Sequence, residues 1–249
     1  MHTSIGELIR IGIDALRGQG FTFFQADALT HTLAWAEGVH HRGWRFMREE
    51  EERIAEGIGR PFTLKEHAVG SVPCFFLDAG GKSVLESGLR ALDLGNAAAR
   101  QSGRGAVFVR DTFGMFLLGD LAFRSHERGL ATLVLYSSPS SDSLFEGTGA
   151  ILATPEAGGS MSKFAVLENE KPDSSATLVR TFQPLMDNVA AGPLATEIAS
   201  FFDRSRQSPR RDGSFVLLSI RPDAIRDWPA VFKVFDDCVG GVSGASWTV

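Results

Sequence analysis

The sequence predicts an α/β fold: a mixed sheet with a βαβ core behind an N-terminal helical segment. Three observations carry this. Residues 1–66 hold apolar residues at helical spacing, with capping signals at the expected starts. Residues 67–249 alternate short apolar and β-branched runs with helix-like stretches. A chain of 249 residues, 43% of them hydrophobic, can bury about three quarters of its unfolded surface, so its core needs no metal or disulfide. The two parts, 1–66 and 67–249, are expected to form one compact unit.

Ser4 with Glu7 forms a capping box ahead of Ile5, Leu8, Ile9 and Leu16, and Gly18 and Gly20 end that helix. Thr22 with Gln25 caps the next, which carries Ala26, Leu29, Leu33 and Ala36 to a stop at Gly38. A third helix is expected from about Trp44, with Met47, Ile54 and Ile58 inward and the charged run 48–53 as its solvated face. Gly57, Gly59 and Pro61 end it. Strands are expected at 74–77, 106–109 and 130–136, with helices at 83–99 and 115–128 between them. Helix-separated strands of this spacing predict parallel pairing with a right-handed crossover. Residues 137–143, rich in serine, give a strong loop signal at the carboxyl end of a strand, where open α/β sheets place ligands. Later strands are expected at 150–153, 163–167 and 214–220, and helices at 194–203 and 230–239.

The net charge of −5 and the lack of a long basic run argue against a nucleic-acid partner. The densest basic group is Arg204, Arg206, Arg210 and Arg211, and it lies in a polar Ser/Pro/Asp stretch that reads as a loop. Cys74 and Cys238 have no CxxC spacing and read as small core residues in a reducing compartment, although spacing alone leaves a disulfide open. The start Met1-His2-Thr3-Ser4 lacks the pattern of a signal peptide, and no apolar run approaches the roughly 18 residues of a membrane helix. A cytoplasmic protein with no membrane partner is expected.

The common catalytic motifs are mostly missing. Gly103-Arg104-Gly105 precedes a strand and has no third glycine, so it is not a dinucleotide fingerprint. Gly80-Gly81-Lys82-Ser83 imitates the end of a P-loop, but Phe76 stands where the first glycine is required, and the segment reads as a strand-to-helix turn. No GxSxG elbow, HExxH or CxxC occurs, so no dedicated metal site is predicted. His31 in a helix, His67 in a loop and His126 near a helix end read as surface or capping residues. His40-His41-Arg42 stands out, because it follows the Gly38 stop and precedes Gly43-Trp44. A histidine at such a junction can face a cleft and move protons near neutral pH; the alternative is a solvated polar turn.

In order and spacing these landmarks resemble the type-2 malate/L-lactate dehydrogenases, which include ureidoglycolate, sulfolactate and cyclic-imine reductases. The family's first helices end in a Ser-His-Gly motif, and the corresponding stretch here is 33–44, followed by Glu52-Arg53-Ile54-Ala55-Glu56-Gly57. A family strand closing in Val-Arg leads to an Asn-His-Phe-Gly motif, for which this chain has Val109-Arg110-Asp111-Thr112-Phe113-Gly114. Glu127-Arg128-Gly129-Leu130 is similar to the family's Glu-Gln-Gly-Leu, Gly147-Thr148-Gly149-Ala150-Ile151 to its Gly-Thr-Asn-Pro-Ile, and 213–222 to its late strand. The resemblance is spread over most of the chain and is best between Leu92 and Pro155.

The departures bear on function. The Ser-His-Gly histidine aligns with Arg42, and the other family histidine with Thr112, or with Gly114 if no gap is allowed. None of these can exchange a proton near neutral pH. A stretch after Pro155 that helps hold the nicotinamide cofactor in the family is much shorter here. The resemblance therefore implies one of two functions. In the first, the scaffold has lost standard hydride transfer and binds or converts a small carboxylate-bearing molecule. In the second, it is an NAD(P)H-dependent reductase of a 2-oxo acid, 2-hydroxy acid or cyclic imine. Arg42 or Arg110 would then hold the carboxylate, and His40 or His41 would donate the proton. Ser137, Ser138, Thr148 and Gly149 would contact the phosphates of NADH or NADPH. The family also implies a homodimer, for which the apolar stretch 113–118 would serve as a buried helix start or an interface.

Overall fold

The computed structural model describes residues 4–138, 147–155, 161–169, 192–207, 212–225 and 246–247. Helices come first: α1 (Ile5–Gly18), α2 (Phe23–His40), α3 (Gly43–Glu49) and α4 (Glu51–Gly57). The strands β1 (Thr63–Val69) and β2 (Val72–Ser83) follow, then α5 (Val84–Ser102) and β3 (Arg104–Phe113). A 3-10 turn over Met115–Leu117 leads into α6 (Leu118–Glu127). After it come β4 (Ala131–Ser138), β5 (Gly147–Pro155), β6 (Met161–Asn169), α7 (Gly192–Arg206), β7 (Gly213–Ile220) and β8 (Ser246–Trp247).

The strands form one eight-stranded sheet in the order β1-β2-β3-β7-β4-β5-β6-β8. Among the described residues only β2 and β3, joined by α5, pair in parallel, and the other neighbours are antiparallel. The mixed sheet and its βαβ core thus match the expected fold class. One detail differs. β3 and β4 were expected to pair across the 115–128 helix, yet β7 lies between them, antiparallel to both. The fully buried β7 brings a second row of apolar side chains to the centre of the sheet.

Strand alternation divides the core in two. Val107, Val134, Ile151, Phe215 and Leu217 face the helices α1 to α6. Their neighbours Ala106, Phe108, Leu133, Leu135, Val216 and Leu218 face α7. Helix α5 approaches its face closely because it is lined with small residues. A Cβ on Gly95 would stand 2.9 Å from Leu217 Cδ2.

Capping explains where the first helices begin. Ser4 Oγ accepts the Glu7 N–H at 3.2 Å. Thr22 and Gln25 complete a reciprocal box, with Thr22 N–H donating to Gln25 Oε1 at 3.0 Å and Gln25 N–H to Thr22 Oγ1 at 3.4 Å. Other boundaries move. α2 runs through Gly38 to His40, since an interior glycine costs a helix only about 1 kcal/mol and the left-handed cap is His41, at φ 55°. The single helix expected from Trp44 breaks at Glu50 (φ −110°, ψ 15°) into α3 and α4. His67 lies in β1, not in a loop, and β1 runs across the boundary expected at residue 66. α7 extends to Arg206, so Arg204 is helical; Arg210 and Arg211 lie outside the described residues, as do Cys238 and the helix expected at 230–239. The stretch from Phe113 to Leu118 is buried within its own chain. Among the described residues no helix is long and apolar enough to cross a membrane.

Candidate functional site

The junction of α2 and α3 is held in place by its backbone. The His41 N–H donates to the Glu37 carbonyl at 3.0 Å, and the Trp44 N–H to Glu37 Oε2 at 3.1 Å. Gly43 packs against the body of α2, and a Cβ there would fall 2.0 Å from the Leu33 carbonyl oxygen. Only glycine permits that approach.

This geometry sets His40, His41 and Arg42 apart. His41 is exposed at the helix cap. His40 is half-buried, with its ring edge-on to Trp35 at 5.5 Å and to Phe116 at 6.2 Å. Burial, and then the charges of Arg42 and His41, hold its pKa below the usual histidine value. His40 is therefore a neutral imidazole at pH 7, fit to accept a proton rather than to donate one. The Arg42 guanidinium lies over the Phe116 ring, 5.5 Å from its centroid. Phe46 joins Phe116 at 5.1 Å and Phe113 at 5.9 Å, and the Arg53 guanidinium covers Phe113 at 3.7 Å. Arg53 also forms an ion pair with Asp212, just before β7. An aromatic cluster carrying two guanidinium groups thus joins the turn to the carboxyl end of β3.

Thr112 lies at that end, beyond a bulge at Asp111, which has φ 54°. Its side chain is fully buried. The hydroxyl donates to the Lys82 carbonyl at 2.7 Å and meets Ser87 Oγ at 2.8 Å. It is a buried residue of β3 that hydrogen-bonds the end of β2 and the first turn of α5. Gly114, its neighbour in the motif, adopts φ 82° to start the 3-10 turn.

Ser137 and Ser138 end β4, where they pair with Thr148 and Gly147 of β5. Ser137 also pairs with Ser214 of β7, and Gly149 pairs with both Tyr136 and Glu168. Strands flanked on both sides commit their backbone groups to the ladder. Ser137, Thr148 and Gly149 therefore have their backbones paired within the sheet. The connection 139–146 between these strands lies outside the described residues.

Arg110 is on the other face of the sheet, separate from the histidine turn. Its Nε and Nη2 donate to Asp78 Oδ2 at 3.0 and 2.6 Å. It lines a pocket of about 310 Å³ between β1 to β3 and α7.

Several residues had no recognised role at the sequence level. Arg53 reads there as part of a solvated charged face, and no local pattern links it to Asp212, 159 positions away. Lys82 is almost fully buried, where its ammonium is bound to Glu86 Oε1 at 2.9 Å and to the Gly57 carbonyl. The P-loop imitation is thus a strand end and helix start, as read, and its lysine is engaged within the protein. The i,i+4 spacing of Lys82 and Glu86 is the one signal that could have shown this. Among the described residues no three His, Cys, Asp or Glu side chains cluster to hold a metal.

Neither a protein-family model nor a curated protein sequence matches the chain. Solved structures do. A putative malate/lactate dehydrogenase from E. coli aligns with a TM-score of 0.63 at 14% identity, over 96% of this chain and 82% of that one. Sulfolactate dehydrogenase from Methanocaldococcus jannaschii gives 0.61 at 11% identity, over 96% and 83%. Delta1-piperideine-2-carboxylate reductase from Pseudomonas syringae gives 0.56 at 17% identity, over 96% and 89%. The chain has the fold of these dehydrogenases and reductases; identities this low carry the fold alone.

Proposed function

We propose that this chain is a diverged member of the type-2 malate/L-lactate dehydrogenase group that no longer transfers hydride. It binds, or converts without redox chemistry, a small carboxylate-bearing molecule. The observation that carries this reading is Thr112. It stands where the family's second histidine aligns, and its hydroxyl is enclosed between Ser87 and the Lys82 carbonyl. Arg42 stands at the other histidine's position. It offers a carboxylate parallel N–H donors instead of an acid or base. The paired backbones of Ser137, Thr148 and Gly149 add support, because they leave no phosphate cradle at those positions.

The competing reading, an NAD(P)H-dependent reductase, has one observation in its favour: two imidazoles, His40 and His41, directly precede Arg42. Titration with NADH and with NADPH, followed by fluorescence of the four tryptophans, separates the two. The proposed function predicts no saturable quenching up to millimolar cofactor. Saturation at micromolar cofactor would favour the reductase. A free, buried Cys74 supports a reducing, cytoplasmic setting, and the group resemblance supports a homodimer. Sedimentation as a monomer at working concentration would remove the dimer.

A further inference from the structure

The pocket at Arg110 has an ordered floor that follows from strand register. Lys65, Phe76 and Phe108 are aligned across β1, β2 and β3, and so are Thr63, Asp78 and Arg110 one step along. Residues two apart on a strand share a face, so all six point toward α7, and His67 joins them from the exposed edge strand. The rings form a slipped stack across the strands. His67 lies 4.6 Å from Phe76 at 7°, and Phe76 lies 4.4 Å from Phe108 at 5°.

The charges around this floor are unequal. Lys65, Arg110 and Arg204 supply three cations, against two carboxylates, Asp78 and Glu197. Asp78 holds Arg110, and Glu197 holds Arg204 at 2.7 Å. Lys65 is the cation left without a carboxylate among the described residues. Arg110 spends Nε and Nη2 on Asp78 and leaves Nη1 to donate elsewhere. Ser205 Oγ, on the α7 wall, is buried and has no hydrogen-bond partner among the described residues. A buried polar atom of this kind calls for a partner.

We infer that this pocket binds a small planar aromatic monocarboxylate, with its ring on the stacked edges of His67 and Phe76, beside the buried Phe108 that Phe201 covers, and its carboxylate between Lys65 and Arg110. Ring edges carry positive potential, so a π face laid across them is favoured, and the single surplus cation matches one negative charge. A volume of about 310 Å³ is some ten water volumes, which suits a molecule the size of benzoate. This inference rests on the reading of the chain as a carboxylate binder and adds, on the opposite face of the sheet from Arg42, a second place that holds such a group and the class it takes.

Ligand-observed NMR titration of the full chain tests it, with benzoate, cyclohexanecarboxylate, benzyl alcohol and acetate as probes. Benzoate should bind at least tenfold more tightly than the other three. Lys65→Met and His67→Ala should each weaken it at least fivefold. Glu66→Gln, on the same strand but the opposite face, should leave it unchanged. Lys65 and His67 are exposed, so both variants should keep the wild-type circular dichroism. If carboxylates bind but neither pocket variant weakens them, or the planar ring gives no advantage, the pocket assignment fails while the proposed function stands. If no carboxylate binds at all, both fail.

Discussion

Replacing Thr112 by valine keeps the shape and removes the hydroxyl that bonds the Lys82 carbonyl and Ser87. Leaving such buried partners unsatisfied costs about 1–3 kcal/mol, so Thr112→Val should lower the unfolding free energy by that amount, seen as a lower urea midpoint at unchanged slope, while Thr112→Ser should recover most of it. An unchanged midpoint would mean that Thr112 is not structural. His40 makes a second prediction at this scale. Its folded pKa lies below the usual 6.5, so the unfolded chain binds a proton there more readily. Stability should therefore fall as pH drops through about 6.5 and level off below the folded value. The loss between pH 7.5 and 5.5, read from urea midpoints, should be smaller in His40→Gln. The sequence marks the His40-His41-Arg42 turn because a helix stop and a chemical group coincide there. It cannot show that Arg110 faces away, since that depends on strand alternation up to the bulge at Asp111.

Between elements, close approach and buried polar contacts decide the geometry. Gly43→Ala would drive a methyl into the Leu33 carbonyl oxygen and should destabilise the protein by about 1–3 kcal/mol or more, because the α2–α3 turn cannot open without moving Trp44. Asp120 ties α6 to α2: its Oδ2 accepts from Thr32 Oγ1 at 2.7 Å and from Arg124 Nε at 2.6 Å, while Arg124 Nη2 reaches the Ala28 carbonyl at 2.9 Å. Asp120→Ala strands a largely buried guanidinium and should cost about 3 kcal/mol in a urea melt. Local capping and helical periodicity made α1, α2 and α5 legible in advance. β1 was not, because six of its seven residues are exposed and give no apolar alternation. Backbone pairing with β2 makes it a strand, and that contact has no signature in the residues themselves. The Arg53–Asp212 pair was hidden for the same reason, being set by tertiary approach.

At the scale of the molecule, one sheet separates two apolar cores, and a thiol in the second can report on global opening. Cys74 is fully buried, and burial pushes its thiol up to about 11. In a Cys238→Ser background, iodoacetamide at pH 8 should label Cys74 at the rate of unfolding and hardly at all in the folded protein. Prompt labelling would contradict a closed core at β2. The composition and the alternation of elements gave the fold class, but the insertion of β7 between β3 and β4 pairs residues 77 to 116 positions apart, which no local pattern encodes. The loss of hydride transfer on this scaffold is open to a test with a labelled cofactor. The protein is incubated with 4-deuterated NADH or NADPH, of either stereochemistry, and a panel of 2-oxo acids and cyclic imines, and the products are read by mass spectrometry. No deuterium is expected at the carbon that would be reduced; protein-dependent deuterium there, lost on substitution of His40 or His41, would mean that the chain transfers hydride after all.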